Sequence, residues 1–460
     1  MPRSHILGFL LAAGCLLAGL LGPLAAVPAS TQLTLGLVLA AVILWTTEPV
    51  PLEFSSFAVL LALPAFGLLD FAGSFAPFAS KTIWLTFAGM VVSLALAETG
   101  LGTWLAAITI QGFGRSPFRL LSGLHFLGLL AAIVIPSGVV RVLVLIPIGL
   151  AIIETLGAQK NRPLYTAVLL SLVCSTLYGG FGILTGAVPN LVVAGQFEQY
   201  SGEVIYWSTW IAWMFPILGC MRTLLSLAVI WFFFGRRIDN FPSPQRTTHS
   251  LRIPLESMQK RILGILLTGI AFWATDAVHH IHPVYIGLGL VLFCCIPGWG
   301  PLPFENIRKI NFPFLFYLAA FFSLAAALEK NGFNAFFFAL VKPIWVRSPD
   351  AWFTAYGSAA LLPIPLNFLM DVAATAGLIT LPMLTLGQAH GLSPLAVAMC
   401  VGMSATLIFL PYQAASFMAA YSFRKFSLGD LILCMLCISV LTLVFLFPLN
   451  LVYWHLFGFI

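Results

Sequence analysis

Thr185-Gly-Ala-Val-Pro-Asn190 interrupts an apolar stretch that otherwise runs from residue 163 to residue 198. Glycine and proline together stop a helix there, since proline lacks an amide and glycine loses the most entropy on being fixed. In hydrocarbon, the carbonyls and amides so freed are tolerated only where protein, water or a ligand completes their hydrogen bonds. The reading is therefore a membrane helix opened near mid-depth. Phe409-Leu-Pro-Tyr-Gln413 is the counterpart break in the C-terminal half.

Working outward, the 460 residues are 60% hydrophobic and only 8% charged, where about 25% charged is usual in a soluble domain. The apolar runs are long enough to cross a hydrocarbon layer and do not alternate, which predicts an all-α polytopic membrane protein rather than a barrel. Spans are predicted at 6–28, 32–47, 51–69 and 82–99, a hairpin at 118–157, a broken helix at 163–198, then 206–234, 260–277, 283–299 and 313–329, a second hairpin at 350–390, a second broken helix at 395–422, and 428–456. Met1-Pro-Arg-Ser-His5 followed by Ile6–Val27 and Pro28-Ala-Ser30 imitates a cleavable signal, but it reads as a retained first span because many more follow.

The net charge of +6 resides in loops and speaks to orientation, not to a nucleic-acid partner. Arg236, Arg237, Arg246, Arg252, Lys260 and Arg261 mark the 235–259 loop and its edge as cytoplasmic. Alternation then places the N-terminus inside, together with Arg3, Arg115, Arg119, Lys160, Arg162, Arg308, Lys309, Arg424 and Lys425. Lys81, Lys330, Lys342 and Arg347 fall outside. A bacterial inner membrane is the expected location.

The two halves echo each other at an offset of about 230 residues, as in duplicated carriers. Trp45-Thr-Thr-Glu48 returns as Trp273-Ala-Thr-Asp276, Ser93-Leu-Ala95 as Ser323-Leu-Ala325, and Pro147 as Pro382, and the breaks recur in the same order. We read the whole chain, 1–460, as one transmembrane domain. Its first repeat covers 32–205, a connecting span and loop 206–259, and its second repeat 260–456, with an inverted relation between them.

Charges in apolar surroundings are the functional candidates, because each costs about 2.5–3.5 kcal/mol at bilayer depth even on lenient scales. Arg141 follows the first hairpin tip, Ser137-Gly-Val139, and Asp371 lies near the second, in Asn367-Phe-Leu-Met-Asp371. Arg141 suits an oxyanion. Asp371 can carry a proton, join a cation site, or pair with Arg141 when no substrate is bound; a static structural pair is the bland alternative. Arg222 also falls within a span and reads as a snorkelling or bracing residue, or less directly as a substrate contact. His125 and Glu154 read as packing or interfacial groups, and Glu48 as a cap. Cys434-Met-Leu-Cys437 lies in an apolar helix and reads as packing, and His279, His280 and His282 as a polar turn rather than a metal site.

Several of these stretches resemble the divalent anion:sodium symporter family of the ion transporter superfamily. Trp45-Thr-Thr-Glu-Pro-Val-Pro51 is similar to its W-x-TEAIP segment. Gly179-Gly-Phe-Gly-Ile-Leu-Thr-Gly-Ala-Val-Pro-Asn190 is similar to its GGxGTxxGTPPN break, and Ser137 to Pro147 to its first SNT hairpin motif with the following LP. The resemblance covers nearly the whole chain. It implies a dimeric, elevator-type carrier with two re-entrant hairpins and two broken helices, moving dicarboxylates, tricarboxylates or sulfate with sodium. The chain departs from the family where Ser-Asn-Thr reads Ser137-Gly138-Val139 and, in the second copy, Val372-Ala373-Ala374; Gln413 replaces the asparagine of the second break. In the family those groups line sodium sites and hold substrate carboxylates.

The expected function is secondary active transport of a small anion, coupled to protons or exchanging rather than driven by sodium. A passive anion channel and a sodium symporter with backbone ligands are the alternatives. An intramembrane enzyme finds no support, since HExxH and GxSxG signatures are missing, and no P-loop suggests direct use of ATP. The expected substrate contacts are Ser137, Gly138, Val139, Arg141, Pro189, Asn190, Asp371, Thr375, Pro411 and Gln413. Ser137, Gly138, Gly186, Asn190 and Asp371 are the candidate sodium ligands; Na+ or H+ is the coupling ion, and no further cofactor is expected.

Overall fold

A capping residue followed by proline starts one helix after another. Ser116 accepts from the Arg119 amide at 3.3 Å ahead of Pro117, Asn161 from the Leu164 amide at 3.2 Å ahead of Pro163, and Ser393 from the Ala396 amide at 3.4 Å ahead of Pro394. Each side chain satisfies one of the orphan amides of a first turn, and the proline sits where no amide is needed. Gly100 and Gly202, at φ 65° and 74°, close two helices with the left-handed turn that glycine adopts without a Cβ clash.

The computed structural model describes residues 3–21, 28–47, 49–101, 104, 108, 111–135, 137–157, 159–238, 241, 254–333, 337, 352–368, 370–423 and 425–460. Most of the basic loop, with Arg246 and Arg252, lies outside the described residues, as do Glu48, Lys342, Arg347 and Arg424. Among the described residues the chain is all-α. The helices are α1 (Arg3–Leu21), α2 (Ala29–Thr47), α3 (Leu52–Ala65), α4 (Phe71–Phe75), α5 (Lys81–Thr99), α6 (Pro117–Val134), α7 (Gly138–Thr155), α8 (Arg162–Gly180), α9 (Val188–Ser201), α10 (Trp207–Met214) and α11 (Arg222–Phe233). The second half supplies α12 (Ser257–Ala274), α13 (Asp276–His279), α14 (Pro283–Cys294), α15 (Phe314–Lys330), α16 (Trp352–Leu361), α17 (Ile364–Asn367), α18 (Val372–Ala389), α19 (Pro394–Ser404), α20 (Ala415–Ser422), α21 (Leu428–Leu441) and α22 (Phe447–Leu456).

Six helical segments among the described residues are long and apolar enough to cross a membrane, and the chain is an integral, multi-pass membrane protein. The hairpins are α6–α7 and α16–α18; the broken helices are α8/α9 and α19/α20. Helical residues at 101, 104, 108 and 111–113 precede the first hairpin, where no span was expected. Two further features escape the hydropathy reading. The last helix pair of each half is joined by a π-helical stretch, Phe215–Met221 between α10 and α11 and Thr442–Leu446 between α21 and α22. A π-turn interrupts regular backbone pairing without ending the helix, so an apolar run conceals it.

Packing exchanges elements between the halves. Helix α9, after the first break, lies on the second hairpin helix α18, and α20, after the second break, lies on the first hairpin helix α7. Away from the hairpins, α5 packs on α14 and α3 on α15. Lys81 and His282 converge on Glu198 at 2.6 Å and 3.2 Å, while Lys309 reaches Glu98 at 2.6 Å.

Candidate functional site

At the first break, glycines make room for a guanidinium. Arg141 is 1% exposed. Its Nη1 donates to the Ile135 carbonyl at 2.8 Å and, at the 3.5 Å limit, to Ala132; its Nη2 donates to Gly186 at 2.7 Å. The first two carbonyls belong to the C-terminal end of α6 and the third to the break itself. A Cβ at Gly180 would stand 2.6 Å from Nη2, and one at Gly186 would stand 2.3 Å from the Gly180 carbonyl. Both glycines are thus required by close approach rather than by backbone angle. Two short charge-assisted bonds, each worth about 1.5–3 kcal/mol, are enough to offset the cost of holding Arg141 at depth without an acidic partner.

Among the described residues no ion pair joins Arg141 to Asp371. The two groups instead answer to opposite ends of the backbone. Asp371 caps α18, accepting from the Ala373 amide at 2.7 Å, and the amides of Ala374 and of Ala415, the first residue of α20, also approach its carboxylate. Carbonyls surround the arginine; amides surround the aspartate.

The remaining break residues mostly stitch the backbone. Asn190 Nδ2 donates to the carbonyls of Phe181 at 3.1 Å and Ile183 at 2.8 Å, and Trp210 Nε1 also donates to Phe181, at 3.2 Å. In the second break Gln413 Oε1 accepts from the amides of Phe409 and Leu410, and its Nε2 donates to the Asn367 carbonyl. Asn367 Nδ2 in turn donates to Ser404 at 2.8 Å and Leu407 at 3.2 Å. Tyr178 and Ser439 hydroxyls both donate to the Ile408 carbonyl. Arg222 is fully buried, not snorkelling, with Nη2 on the Thr406 carbonyl at 2.7 Å and its guanidinium 4.3 Å from the centre of the Tyr178 ring.

Of the predicted contacts, Arg141, Asn190, Thr375 and Gln413 are buried at 1% exposure or less, and Pro189 and Pro411 are also buried, the first in the opening turn of α9 and the second in a 3-10 turn ahead of α20. Ser137, Gly138, Val139 and Asp371 remain partly or fully accessible, as do Ala187, Val188, Tyr412, Ala415 and Ser416. The tips meet at α20, since a Cβ on Gly138 would touch both Ser416 and Arg141 Nη2 at 3.4 Å and the next amide, Ala415, faces Asp371. Tyr412 apart, the accessible groups are the N-caps or first turns of α7, α9 and α20 and the N-cap of α18, each at a helix N-terminus, which favours an anion. Asn190 Oδ1, Asn367 Oδ1 and Thr375 Oγ1 are buried acceptors without a hydrogen-bond partner among the described residues. Sequence reasoning missed Tyr178, Trp210 and Asn367; only the arginine opposite each break carried a visible signal.

A second cluster lies where α5, α9 and the start of α14 meet. Lys81, Glu198 and His282 line a small cavity there with Thr82, Ile205 and Pro283. Nearby, buried Asp276 accepts from the Trp207 amide at 2.8 Å and from the Ser208 amide and hydroxyl, tying the start of α10 to the α12–α14 turn. His282 also caps α14 by accepting from the Val284 amide at 3.1 Å.

The profile of the family described as "Sodium:sulfate symporter transmembrane region" matches residues 5–460. Among similar proteins, the "Sodium-dependent dicarboxylate transporter SdcS" of Staphylococcus saprophyticus is 27% identical over 248 residues, 50% of this chain and 46% of that protein. The "L-tartrate/succinate antiporter" of Escherichia coli is 25% identical over 278 residues, 56% of this chain and 55% of that protein. A "Membrane protein" of Cupriavidus necator is 24% identical over 308 residues, 60% and 58% respectively. The chain thus spans about half the length of the curated relatives it matches. The solved YdaH transporter of Alcanivorax borkumensis aligns over 94% of this chain and 99% of its own at 16% identity, with a TM-score of 0.47.

Proposed function

The chain belongs to the sodium:sulfate symporter family, and from that premise we propose that it is a secondary active transporter of small anions of the dicarboxylate, tricarboxylate or sulfate class. One observation carries the reading: the two hairpin tips meet at α20, so that helix N-termini, a buried guanidinium and a carboxylate converge on an accessible junction. Amide ends attract an anion, and Arg141 adds its charge from directly behind the Gly138 tip. Asp371 occupies the same amides. An incoming anion must displace its carboxylate, and a proton removes the repulsion between the two negative groups. Substrate and proton then enter together, or one anion leaves as another arrives, with no sodium needed.

The exchange of partners between halves supports alternating access, with the hairpins and broken helices moving as one body against α2, α3, α5, α12, α14 and α15. In this reading residues 32–205 and 260–456 are inverted repeats and the carrier is an elevator working as a homodimer in a bacterial inner membrane, with the N-terminus cytoplasmic. The relatives' printed names, one a sodium-dependent dicarboxylate transporter and one a tartrate/succinate antiporter, support the dicarboxylate class most directly.

Proteoliposomes test this. Uptake of labelled succinate, tartrate or sulfate should be stimulated by the same anion loaded inside and by an inward proton gradient, and Asp371→Asn should flatten the response to pH. Conductance far above carrier rates without trans-stimulation would identify a channel instead. Unchanged affinity and pH response in both Arg141→Gln and Asp371→Asn would overturn the assignment of the site.

A further inference from the structure

Opened helices in a membrane expose carbonyls at their unwound turns and C-terminal ends, and those ends suit a small cation. In this chain several of those carbonyls are already occupied. Ala132, Ile135 and Gly186, drawn from two separate elements, converge on the single positive charge of Arg141. In the second break Thr406 holds Arg222, while Ser404, Leu407 and Ile408 are bonded by Asn367, Tyr178 and Ser439. Neither guanidinium has a carboxylate partner among the described residues. At the first break a positive charge bound by backbone carbonyls has the surroundings of a bound metal cation; at the second, the Thr406 carbonyl shares Arg222 with the Tyr178 ring.

We propose that Arg141 is a tethered cation that permanently fills the carbonyl site of the first break, while Arg222 and the neutral donors Asn367, Tyr178 and Ser439 hold the carbonyls of the second, so that neither break binds sodium. The inference rests on the transporter reading only for its meaning in the cycle; its chemistry stands on ion binding. Exclusion follows from size and charge together. Gly180 and Gly186 leave space for one guanidinium and little else, as their 2.6 Å and 2.3 Å Cβ approaches show. A second unit charge about 4 Å away would be bound about 10³-fold more weakly at an effective dielectric near 20. The side chain supplies what a diffusing ion supplies elsewhere, and it never leaves.

The test uses the full-length protein, purified and reconstituted, with NaCl exchanged for choline chloride at constant ionic strength. Wild-type thermal stability and anion uptake should both be indifferent to sodium. Arg141→Ala should be less stable and should gain a saturable, sodium-specific rise in Tm of about 2 °C or more, matched by millimolar guanidinium but not by choline. Arg141→Lys, whose ammonium remains tethered, should stay indifferent. Sodium-specific stabilisation of the wild type would overturn the proposal, and so would an Arg141→Ala protein that answers to neither sodium nor guanidinium. If Arg141→Ala does not fold, the wild-type measurement alone still decides. A wild type that moves no anion would defeat the transport reading, yet leave the Tm comparison intact.

Discussion

The two breaks solve one problem with opposite chemistry at their hairpin tips. At the first, a guanidinium from the hairpin closes on carbonyls of α6 and the break; at the second, a neutral amide, Asn367, does that work, and the hairpin's charge, Asp371, turns to amides instead. Orientation explains the difference. A residue beyond the first turn of α7 can reach back to C-terminal carbonyls, whereas a residue at the N-cap of α18 meets only donors. The comparison teaches that a duplicated scaffold keeps its backbone openings while the side chains that fill them diverge in sign.

The first break should be the costlier one to disturb. Arg141→Met keeps the stem but leaves the Ile135 and Gly186 carbonyls bare, and denaturation in lipid should show a loss of about 2–6 kcal/mol, at about 1–3 kcal/mol for each buried group left unsatisfied. Asn367→Ala removes the neutral counterpart and should cost about 2–4 kcal/mol by the same measurement. Equal costs would mean that charge adds nothing to the first closure. Gly180→Ala sharpens the point without touching the arginine. Its new Cβ, 2.6 Å from Nη2, should cost about 1–3 kcal/mol, and pairing it with Arg141→Met should relieve most of that penalty in a double-mutant cycle. Asp371→Asn retains an acceptor for the Ala373 amide and should change stability by less than about 1 kcal/mol, although it removes the response of uptake to pH. The smallest effect belongs to Glu198→Gln. Its pair with Lys81 is half exposed, and about 0.5 kcal/mol is expected, too little to rank with either break.

Much of this architecture is legible in the amino-acid order. Glycine with proline marks both breaks, apolar length marks the hairpins, and a charge in an apolar run marks Arg141, Asp371 and Arg222. Their partners are not legible, because a charge announces only that it needs one. The sequence leaves Asp371 free to carry a proton, join a cation site or pair with Arg141; backbone dipoles, which carry no sequence signature, surround both charges. Tyr178 and Asn367 hide for a related reason. Each bonds a carbonyl from a remote part of the second half or its break, and no spacing along the chain encodes that meeting. The π-helical stretches leave no hydropathy signal, since Phe215–Met221 is as apolar as its flanks and only Pro216 marks it.

Arg222 also constrains how the molecule is made. Its carbonyl partner, Thr406, is 184 residues further along the chain, so α11 must enter the bilayer long before that partner is synthesised. Until then only the ring of Tyr178, already laid down upstream, can screen the guanidinium, and a desolvated cation–π contact is worth about 2 kcal/mol against an insertion cost of about 2.5–3.5 kcal/mol. The half-made protein is therefore expected to hold α11 poorly settled. Ribosomes stalled within the 235–259 loop should hold an α11 that is accessible to aqueous probes and becomes shielded once the second half has been inserted. An α11 already shielded at that stage would mean that the first half settles alone.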